Sequence, residues 1–263
     1  MIFENITRED YNKLEGVNAS KLKGYYESAL NGNYEQNKPR VESEAMAFGT
    51  AAHSLVLEPH LFGELYGKMP AEPTKEDGSK INKNTKIYKE WKANLPTDRK
   101  YLSSEQWQLL TNIQNNIENY ESASKILKAC PKRETAVTWE MNGIKCKALI
   151  DFMGDKIVGD LKTTRSIPVK SDIEATQKAI FWDLVSTRNL LQFAYYLDGC
   201  KANGLSVEKF AVIFAKNNGS CDIATALLSE STIEFGQKMY EQAIENWKER
   251  ESNIGAFAEL MEV

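Results

Sequence analysis

Two aspartates and a lysine stand close together in the middle of the chain, next to runs of apolar residues. Asp151 ends the sequence ALID, and Asp160 and Lys162 belong to IVGDLK. Side chains alternate between the faces of an extended strand, so Asp160 and Lys162 share one face, and a tight turn would bring Asp151 opposite them. Two carboxylates this close repel each other, and a divalent cation such as Mg²⁺ or Mn²⁺ relieves that repulsion. A neighbouring lysine can hold a water molecule or offset charge on a phosphate oxygen.

The same three residues also have a simpler explanation. Asp-x-Lys is a short and common pattern, in which the acids flank turns and the lysine is exposed on its strand. The acid follows an apolar strand segment twice, in LID and in VGD. That repetition favours a metal site, although the simpler explanation stays open at this point.

A histidine and a glutamine–tyrosine pair are further candidates for chemistry. His53 ends Gly-Thr-Ala-Ala-His on a predicted helix rich in small residues, where a lone histidine is more often a hydrogen-bonded structural residue than a ligand. Gln192 and Tyr196 are four residues apart on another predicted helix and therefore share a face. Their amide and phenol groups could bind a phosphate or the edge of a base. Packing of the tyrosine in the core, with the glutamine at the surface, explains the pair equally well.

The two aspartates and the lysine lie on a predicted three-stranded meander. TAVTWE and IKCKALIDFM flank Asn142-Gly143, and KIVGDLKT follows a second turn at Gly154-Asp155. An Asn-Gly pair between two extended runs is typical of a tight hairpin. Three consecutive antiparallel strands are therefore expected here.

Helical patterns surround this meander. Helices are predicted from about residue 20 and over about 43–57, 103–128, 171–201 and 231–250, and two more strands at FAVIFAK and CDIATALL. Residues 67–83 combine turn-forming residues with many charges, which predicts a mobile loop. This order predicts one α/β or α+β domain over 1–263, mainly helical over 1–130 and sheet-containing over 131–263.

Composition limits the class of protein. The 263 residues are 42% hydrophobic and 27% charged, enough to bury a core and exclude wholesale disorder. The sequence lacks a long apolar run and a basic-then-apolar start, which argues against a membrane span and a secretory signal. Four cysteines in a chain of this length favour a reducing, cytoplasmic setting. The net charge is −4, yet residues 68–100 carry nine basic and five acidic residues, which indicates either solvated surface or a contact with nucleic acid.

Taken in order, the motifs resemble those of a known superfamily. Gly-x-x-x-His, Ile-Asp, Asp-x-Lys and Gln-x-x-x-Tyr follow one another as in the PD-(D/E)xK nucleases. The segments AMAFGTAAHSLVLEP, DLKTT and LLQFAYYLDG are similar to the branch that holds the RecB nuclease domain and the RecE-type phage exonucleases, in particular the nuclease domain of exonuclease VIII. The resemblance covers about residues 16–200, although Ala-Leu-Ile replaces the proline that begins the superfamily motif before Asp151.

This resemblance implies a fold and a set of site residues. The implied fold is a restriction-endonuclease-like core, a central mixed sheet flanked by helices, with an extra helical region at the N-terminus. Lys162 is the implied catalytic lysine beside catalytic Asp151 and Asp160, and Gln192 and Tyr196 lie on a helix facing the substrate. The implied ligands of Mg²⁺, or of Mn²⁺, are the side chains of His53, Asp151 and Asp160 and the backbone carbonyl of Leu161.

The resemblance also implies an activity and partners. The expected reaction is 5′→3′ digestion of linear double-stranded DNA, leaving 3′ single-stranded overhangs for a RecT-like annealing protein in recombination. A homo-oligomeric ring, such as a tetramer, is implied. The basic loop around 75–92, with Lys83, Lys86 and Lys89, is predicted to contact the DNA backbone. The alternatives are a related nuclease of other polarity, a structure-specific endonuclease, and a non-catalytic module that binds DNA or a recombination protein.

Two further expectations concern cysteine chemistry and origin. Some relatives bind an iron–sulfur cluster through four cysteines, but Cys130, Cys146, Cys200 and Cys221 are separated by 16, 54 and 21 residues. No cluster is expected, because no close pair occurs. The initial methionine and the family-like opening favour a complete small phage or prophage protein in the cytoplasm of a bacterial host.

Overall fold

A six-stranded mixed sheet forms the centre of the computed structural model, which describes residues 1–251 except 5, 40 and 168–171. The strands are β1 (Ile2–Phe3), β2 (Tyr66–Lys68), β3 (Lys100–Leu102), β4 (Lys132–Met141), β5 (Ile144–Met153), β6 (Ile157–Thr164), β7 (Lys209–Lys216) and β8 (Ile223–Leu227). The large sheet has the order β1-β4-β5-β6-β7-β8. Strands β6 and β7 are parallel and the other neighbours antiparallel. The predicted meander, which corresponds to β4, β5 and β6, and the predicted central mixed sheet are both confirmed.

Helices cover both faces of this sheet. They are α1 (Arg8–Lys13), α2 (Ala19–Tyr25), α3 (Ala29–Asn37), α4 (Glu44–Leu57), α5 (Pro59–Leu65), α6 (Lys86–Ala93), α7 (Ser104–Asn119), α8 (Glu121–Ala129), α9 (Ile173–Ser186), α10 (Asn189–Ala202) and α11 (Glu230–Lys248). Most begin at a capping side chain, as at Ser43, whose hydroxyl accepts from the Met46 N–H at 3.2 Å. Within the described ranges, none of these helices is both long and apolar enough to span a bilayer.

Alternating side chains of β7 enter two different hydrophobic clusters. Phe210, Val212 and Phe214 pack with residues of α2, α10 and α11, whereas the intervening Ala211 and Ile213 pack with residues of α4, α7 and α8. A strand buried on both faces reads as a continuous apolar run, as FAVIFA does here. Strand β6 lies beside β7, so the aspartate and lysine of β6 belong to the buried centre of the sheet.

Two predicted long helices are each broken in two. The stretch 103–128 is α7 and α8, separated by Tyr120 with an extended backbone (φ −81°, ψ 107°). The stretch 171–201 is α9 and α10, separated near Arg188, which has the left-handed backbone (φ 56°). The guanidinium of Arg188 donates to the Lys23 carbonyl at 2.8 Å and pairs with Glu27. These tertiary contacts hold the break, and residue 171, where the helix was expected to start, lies outside the described residues.

The loop predicted over 67–83 is mostly irregular, whereas the end of the basic segment around 75–92 is helical. Residues 66–68 form β2, which pairs with β3 in parallel, and Thr74 bridges to Lys80. Thr85 caps α6, which the sequence prediction missed, and the rings of Tyr88 and Trp91 pack 5.3 Å apart on that helix. The cap and this aromatic pair stabilise the helix. The many charged and turn-forming residues of the segment gave no indication of it.

Glycines let the site-bearing elements approach one another. A Cβ on Gly159, next to Asp160 on β6, would lie 2.2 Å from the Ala211 carbonyl oxygen. A Cβ on Gly49 of α4 would lie 3.3 Å from the Thr163 hydroxyl of β6. Helix α4 therefore packs closely on the strand that carries the predicted catalytic residues.

Candidate metal centre

The two predicted aspartates face each other across neighbouring strands. Phe152 pairs with Gly159 and Met153 with Val158, so continuing this register places Asp151 opposite Asp160. Asp151 Oδ2 accepts a hydrogen bond of 2.7 Å from the backbone N–H of Leu161. Asp151 and Asp160 are 7% and 2% exposed. The two carboxylates are therefore buried in the centre of the sheet.

Helix α4 brings His53 to the same place. Its Nδ1 atom lies 3.4 Å from Asp151 Oδ2, and the side chain is partly exposed. Ala51 and Ala52 beside it are fully buried, which keeps the helix close to the sheet. The small residues thus allow a histidine almost a hundred positions away in sequence to reach the carboxylates.

The structure adds a glutamate that the sequence prediction missed. On β4, Arg133 pairs with Phe152 and Thr135 with Ile150, so Glu134 lies opposite Asp151. Its backbone has φ 41°, and its side chain is 8% exposed. His53, Glu134 and Asp151 each offer a ligand atom, and these atoms all lie within 4.8 Å of one another.

A signal for Glu134 was present in the hairpin itself. The two-residue turn at Asn142-Gly143 makes Met141 and Ile144 partners. Counting outward in pairs from that turn leads to Glu134 and Asp151. The register of a tight hairpin therefore predicts the acid that faces a known acid on the next strand.

The electrostatics of this group favour a bound cation. Burial, with a smaller contribution from the Asp151 charge, raises the pKa of Glu134 to about 8. Burial, with repulsion from Asp160, raises the pKa of Asp151 to about 6. The buried Asp160 Oδ2 atom has an ion-pair contact but no hydrogen bond of good geometry within the described chain. Carboxylate oxygens and an imidazole nitrogen in one place fit a divalent cation such as Mg²⁺ or Mn²⁺.

Lys162 stands beside the carboxylates, as its spacing predicts. Its Nζ atom lies 2.8 Å from Asp160 Oδ2 and 5.5 Å from the centre of the Phe193 ring. The side chain is partly exposed, so it can also reach a substrate. The intervening Leu161 is buried on the same strand, and its role as a ligand through the carbonyl stays a prediction.

The predicted Gln192 and Tyr196 both come to the site from α10. Gln192 Nε2 donates to Asp160 Oδ1 at 2.7 Å, which holds the carboxylate in one orientation. Tyr196 is 9% exposed, and burial, with the nearby Tyr11 and Asp160 groups, raises the pKa of its phenol well above the ordinary value. Gln192 therefore contacts a candidate ligand, and Tyr196 packs in the hydrophobic cluster on that face of the sheet; the binding of substrate by either side chain stays a prediction.

A second lysine, which sequence reasoning did not single out, supports Gln192. Lys23 of α2 donates from Nζ to Gln192 Oε1 at 2.8 Å and to Asn189 Oδ1 at 2.7 Å. Burial, followed by repulsion from Lys162, lowers the pKa of Lys23 to about 7. The Lys23 amine, as a donor to Gln192 Oε1, fixes which end of the Gln192 amide faces Asp160.

The three lysines predicted to contact DNA lie away from this group. Lys83 precedes α6, Lys86 and Lys89 lie on it, and all three are exposed. Lys86 pairs with Glu90 at 3.7 Å. The described part of the chain contains no contact between these lysines and the candidate metal ligands, so their role stays a prediction.

The four cysteines are buried on opposite sides of the sheet. Cys130 and Cys221 lie in the cluster that includes α4 and α7, and Cys146 and Cys200 lie in the cluster that includes α10 and α11. Their side chains thus belong to two separate cores. The expectation that the chain binds no iron–sulfur cluster stays a prediction.

Comparison with solved structures shows the same fold. A proposed exonuclease from Eubacterium rectale superimposes with a TM-score of 0.59 at 17% identity, over 95% of this chain and 88% of that chain. A second solved structure, SSO0001, aligns over 49% of this chain and 55% of the other at 22% identity, but its TM-score of 0.28 does not indicate a shared fold. No curated protein sequence matches the chain.

A family model matches most of the chain. It covers residues 20–254 and carries the description "PDDEXK-like domain of unknown function (DUF3799)". The matched region runs from α2 to beyond α11 and contains every candidate ligand described above. The chain therefore belongs to this family of PDDEXK-like domains, and with it to the PD-(D/E)xK nuclease superfamily.

Proposed function

We propose that this protein is a metal-dependent DNA exonuclease. One observation carries the proposal: His53, Glu134 and Asp151 converge, and Asp160 and Lys162 lie directly beside them. Buried carboxylates as close together as those of Glu134 and Asp151 are unfavourable without a cation. A lysine that is both paired with one carboxylate and partly exposed suits hydrolysis of a phosphodiester.

The side chains have separate roles in this reaction. A bound divalent cation would polarise the scissile phosphate and lower the pKa of a water molecule. His53, Glu134, Asp151 and Asp160 would hold that cation. Lys162 Nζ, fixed by Asp160 and the Phe193 ring, orients the attacking water and offsets charge on the phosphate. Gln192, held by Lys23, keeps Asp160 in the required orientation.

The substrate and polarity rest on the motifs. Their likeness to RecE-type enzymes supports linear double-stranded DNA as substrate and 5′→3′ digestion that leaves 3′ overhangs for recombination. A homo-oligomer and a RecT-like annealing partner in the bacterial cytoplasm belong to the same proposal. Light scattering of the purified protein tests the oligomer, and a monomer at all concentrations would contradict it.

End-labelled DNA tests the enzyme. Linear duplex labelled at the 5′ or at the 3′ end is incubated with Mg²⁺ or Mn²⁺, and a closed circle serves as control. Early release of the 5′ label with an intact circle is expected. Early release of the 3′ label would support a nuclease of other polarity, and cutting of the circle would support an endonuclease. An intact linear duplex, with metal bound, would contradict the enzyme and support a DNA-binding module.

The variant Lys162→Met tests the proposed catalytic role of Lys162. It should lose hydrolysis while keeping Mn²⁺ binding, because the lysine is not a ligand. Lys156→Met is the control, since Lys156 lies just before the same strand, is exposed and pairs only with Glu208 among the described residues. Equal hydrolysis by the two variants would contradict the role of Lys162.

The exposed lysines near α6 are tested separately. Charge reversal of Lys83, Lys86 and Lys89 should weaken duplex binding and lower the slope of log affinity against log salt, by up to about 0.9 per lost phosphate contact. An unchanged slope would remove these lysines from the DNA surface.

A further inference from the structure

A large cavity opens directly beside the candidate metal ligands. Its volume is about 900 Å³, within the range usual for small-molecule sites. His53 and Glu134 form part of its wall. Any molecule that fills it would therefore lie next to a cation held by these two residues.

The walls of the cavity combine apolar and cationic groups. Leu57, Leu61 and Tyr66 contribute an apolar surface, and Arg8 contributes a guanidinium. Arg8 forms no hydrogen bond or ion pair with the rest of the described chain. Its charge nevertheless acts on both Glu134 and Tyr196, where it opposes the rise of their pKa values. Among the described residues Arg8 is thus a cation without a partner, and it shares the cavity wall with His53 and Glu134.

The segment that carries Arg8 is held firmly in place. Thr7 caps α1 through its hydroxyl, which accepts from the Asp10 N–H at 3.1 Å. At the other end of the helix, the buried Lys147 donates to the carbonyl oxygens of Tyr11, at 3.1 Å, and of Leu14, at 2.6 Å. The chain therefore places Arg8 at the cavity by dedicated contacts.

We infer that this cavity is the subsite for the nucleotide on one side of the scissile phosphate, and that Arg8 binds that nucleotide's other phosphate. The inference rests on the proposed nuclease function and names a specificity determinant for it. The apolar wall accommodates the sugar and base of that nucleotide. Lys132 and Arg133 also line the cavity. Lys132 pairs with Glu4 and Arg133 donates to the Leu127 carbonyl, which leaves Arg8 as the arginine or lysine of the wall without a partner among the described residues.

Thymidine 3′,5′-bisphosphate is the probe, since it offers one phosphate to the metal centre and a second to Arg8. Its affinity for the full-length protein with Mg²⁺ is measured by NMR titration, next to that of the two thymidine monophosphates. The bisphosphate should bind roughly tenfold more tightly than either monophosphate, as expected for one charged hydrogen-bonded contact. Arg8→Gln should remove this advantage, and Lys13→Gln, an exposed cation on the same helix, should keep it.

The melting temperature separates binding from folding. Arg8→Gln should leave the melting temperature of the free protein unchanged, because Arg8 forms no hydrogen bond or ion pair with the rest of the described chain. A bisphosphate affinity that is equal in the wild type and Arg8→Gln would overturn the subsite. Hydrolysis of duplex DNA by the wild type is scored independently. If the wild type cleaves DNA but Arg8→Gln keeps the affinity advantage of the bisphosphate, only the subsite is rejected. If Arg8→Gln loses that advantage but the wild type does not cleave DNA, only the nuclease function is rejected.

Discussion

Replacing Glu134 by glutamine should change stability and metal binding in opposite directions. The substitution keeps the size of the side chain and removes the charge that faces Asp151 and His53. In the metal-free protein that charge is unfavourable, because burial raises the pKa of Glu134 from 4.5 to about 8. With a metal ion bound, the same carboxylate would be a ligand. A residue with a purely structural role would not produce both effects.

The sign and size of the first effect follow from the pKa. Between pH 4.5 and about 8 the folded protein holds a proton that the unfolded chain has lost. The stabilisation is therefore complete below pH 4.5 and disappears as the pH rises to about 8. At about 1.4 kcal/mol per pKa unit, the free energy of unfolding of the wild type should fall by roughly 2–5 kcal/mol across this window. The free energy of unfolding of Glu134→Gln should not show this fall with pH.

The second effect concerns the cation. Loss of one anionic ligand should weaken Mn²⁺ binding by at least about 10–100-fold, the cost usual for losing even an outer partner of a metal site. The stabilisation produced by excess Mn²⁺ should therefore shrink by about 1.4–2.7 kcal/mol.

Urea denaturation and calorimetry measure these two effects. Unfolding is followed at several pH values between 4.5 and 8.5 with a chelator present, and Mn²⁺ binding is titrated calorimetrically at pH 7.5. Glu140→Gln is the matched control, because Glu140 is an exposed glutamate on the same strand. If Glu134→Gln follows the wild-type pH dependence, or binds Mn²⁺ as tightly, Glu134 is not a ligand.

Three other predictions concern residues around the site. Lys147→Met should lower the free energy of unfolding by about 1–3 kcal/mol in urea, because the carbonyls of α1 lose a buried donor; unchanged stability would show that this anchor is dispensable. The pKa of Lys23 is lowered from 10.5 to about 7. The free energy of unfolding should therefore rise between pH 7 and pH 10.5, since only the unfolded chain keeps the proton on Lys23 in this range. An equal rise in a Lys23→Met variant would contradict this prediction. Gly159→Ala should destabilise the fold by several kcal/mol, because its Cβ would lie 2.2 Å from the Ala211 carbonyl oxygen; thermal melting measures the loss, and a wild-type melting temperature would refute it.

Local chemistry was enough to predict the meander and its acids. The Asn142-Gly143 turn, the alternation around it and the apolar run before Asp160 depend on neighbours in sequence, and the observed strands follow them closely. The shared face of Asp160 and Lys162 follows from strand geometry alone. The motif order also led to His53, although no local rule brings a helix onto this sheet.

Tertiary structure decided the rest of the site. Lys23 meets Gln192 across 169 positions of the chain. Arg8 lines the cavity beside His53 and Glu134, on a segment that Lys147 anchors from 133 positions away at Leu14. The helix break at Arg188 follows from its contact with the Lys23 carbonyl. Sequence periodicity indicates which face of a helix or strand is apolar. The partners of a buried charge are set instead by packing between elements that are distant in sequence. The reason is that leaving a buried charge unpaired costs more free energy than any local conformational preference supplies.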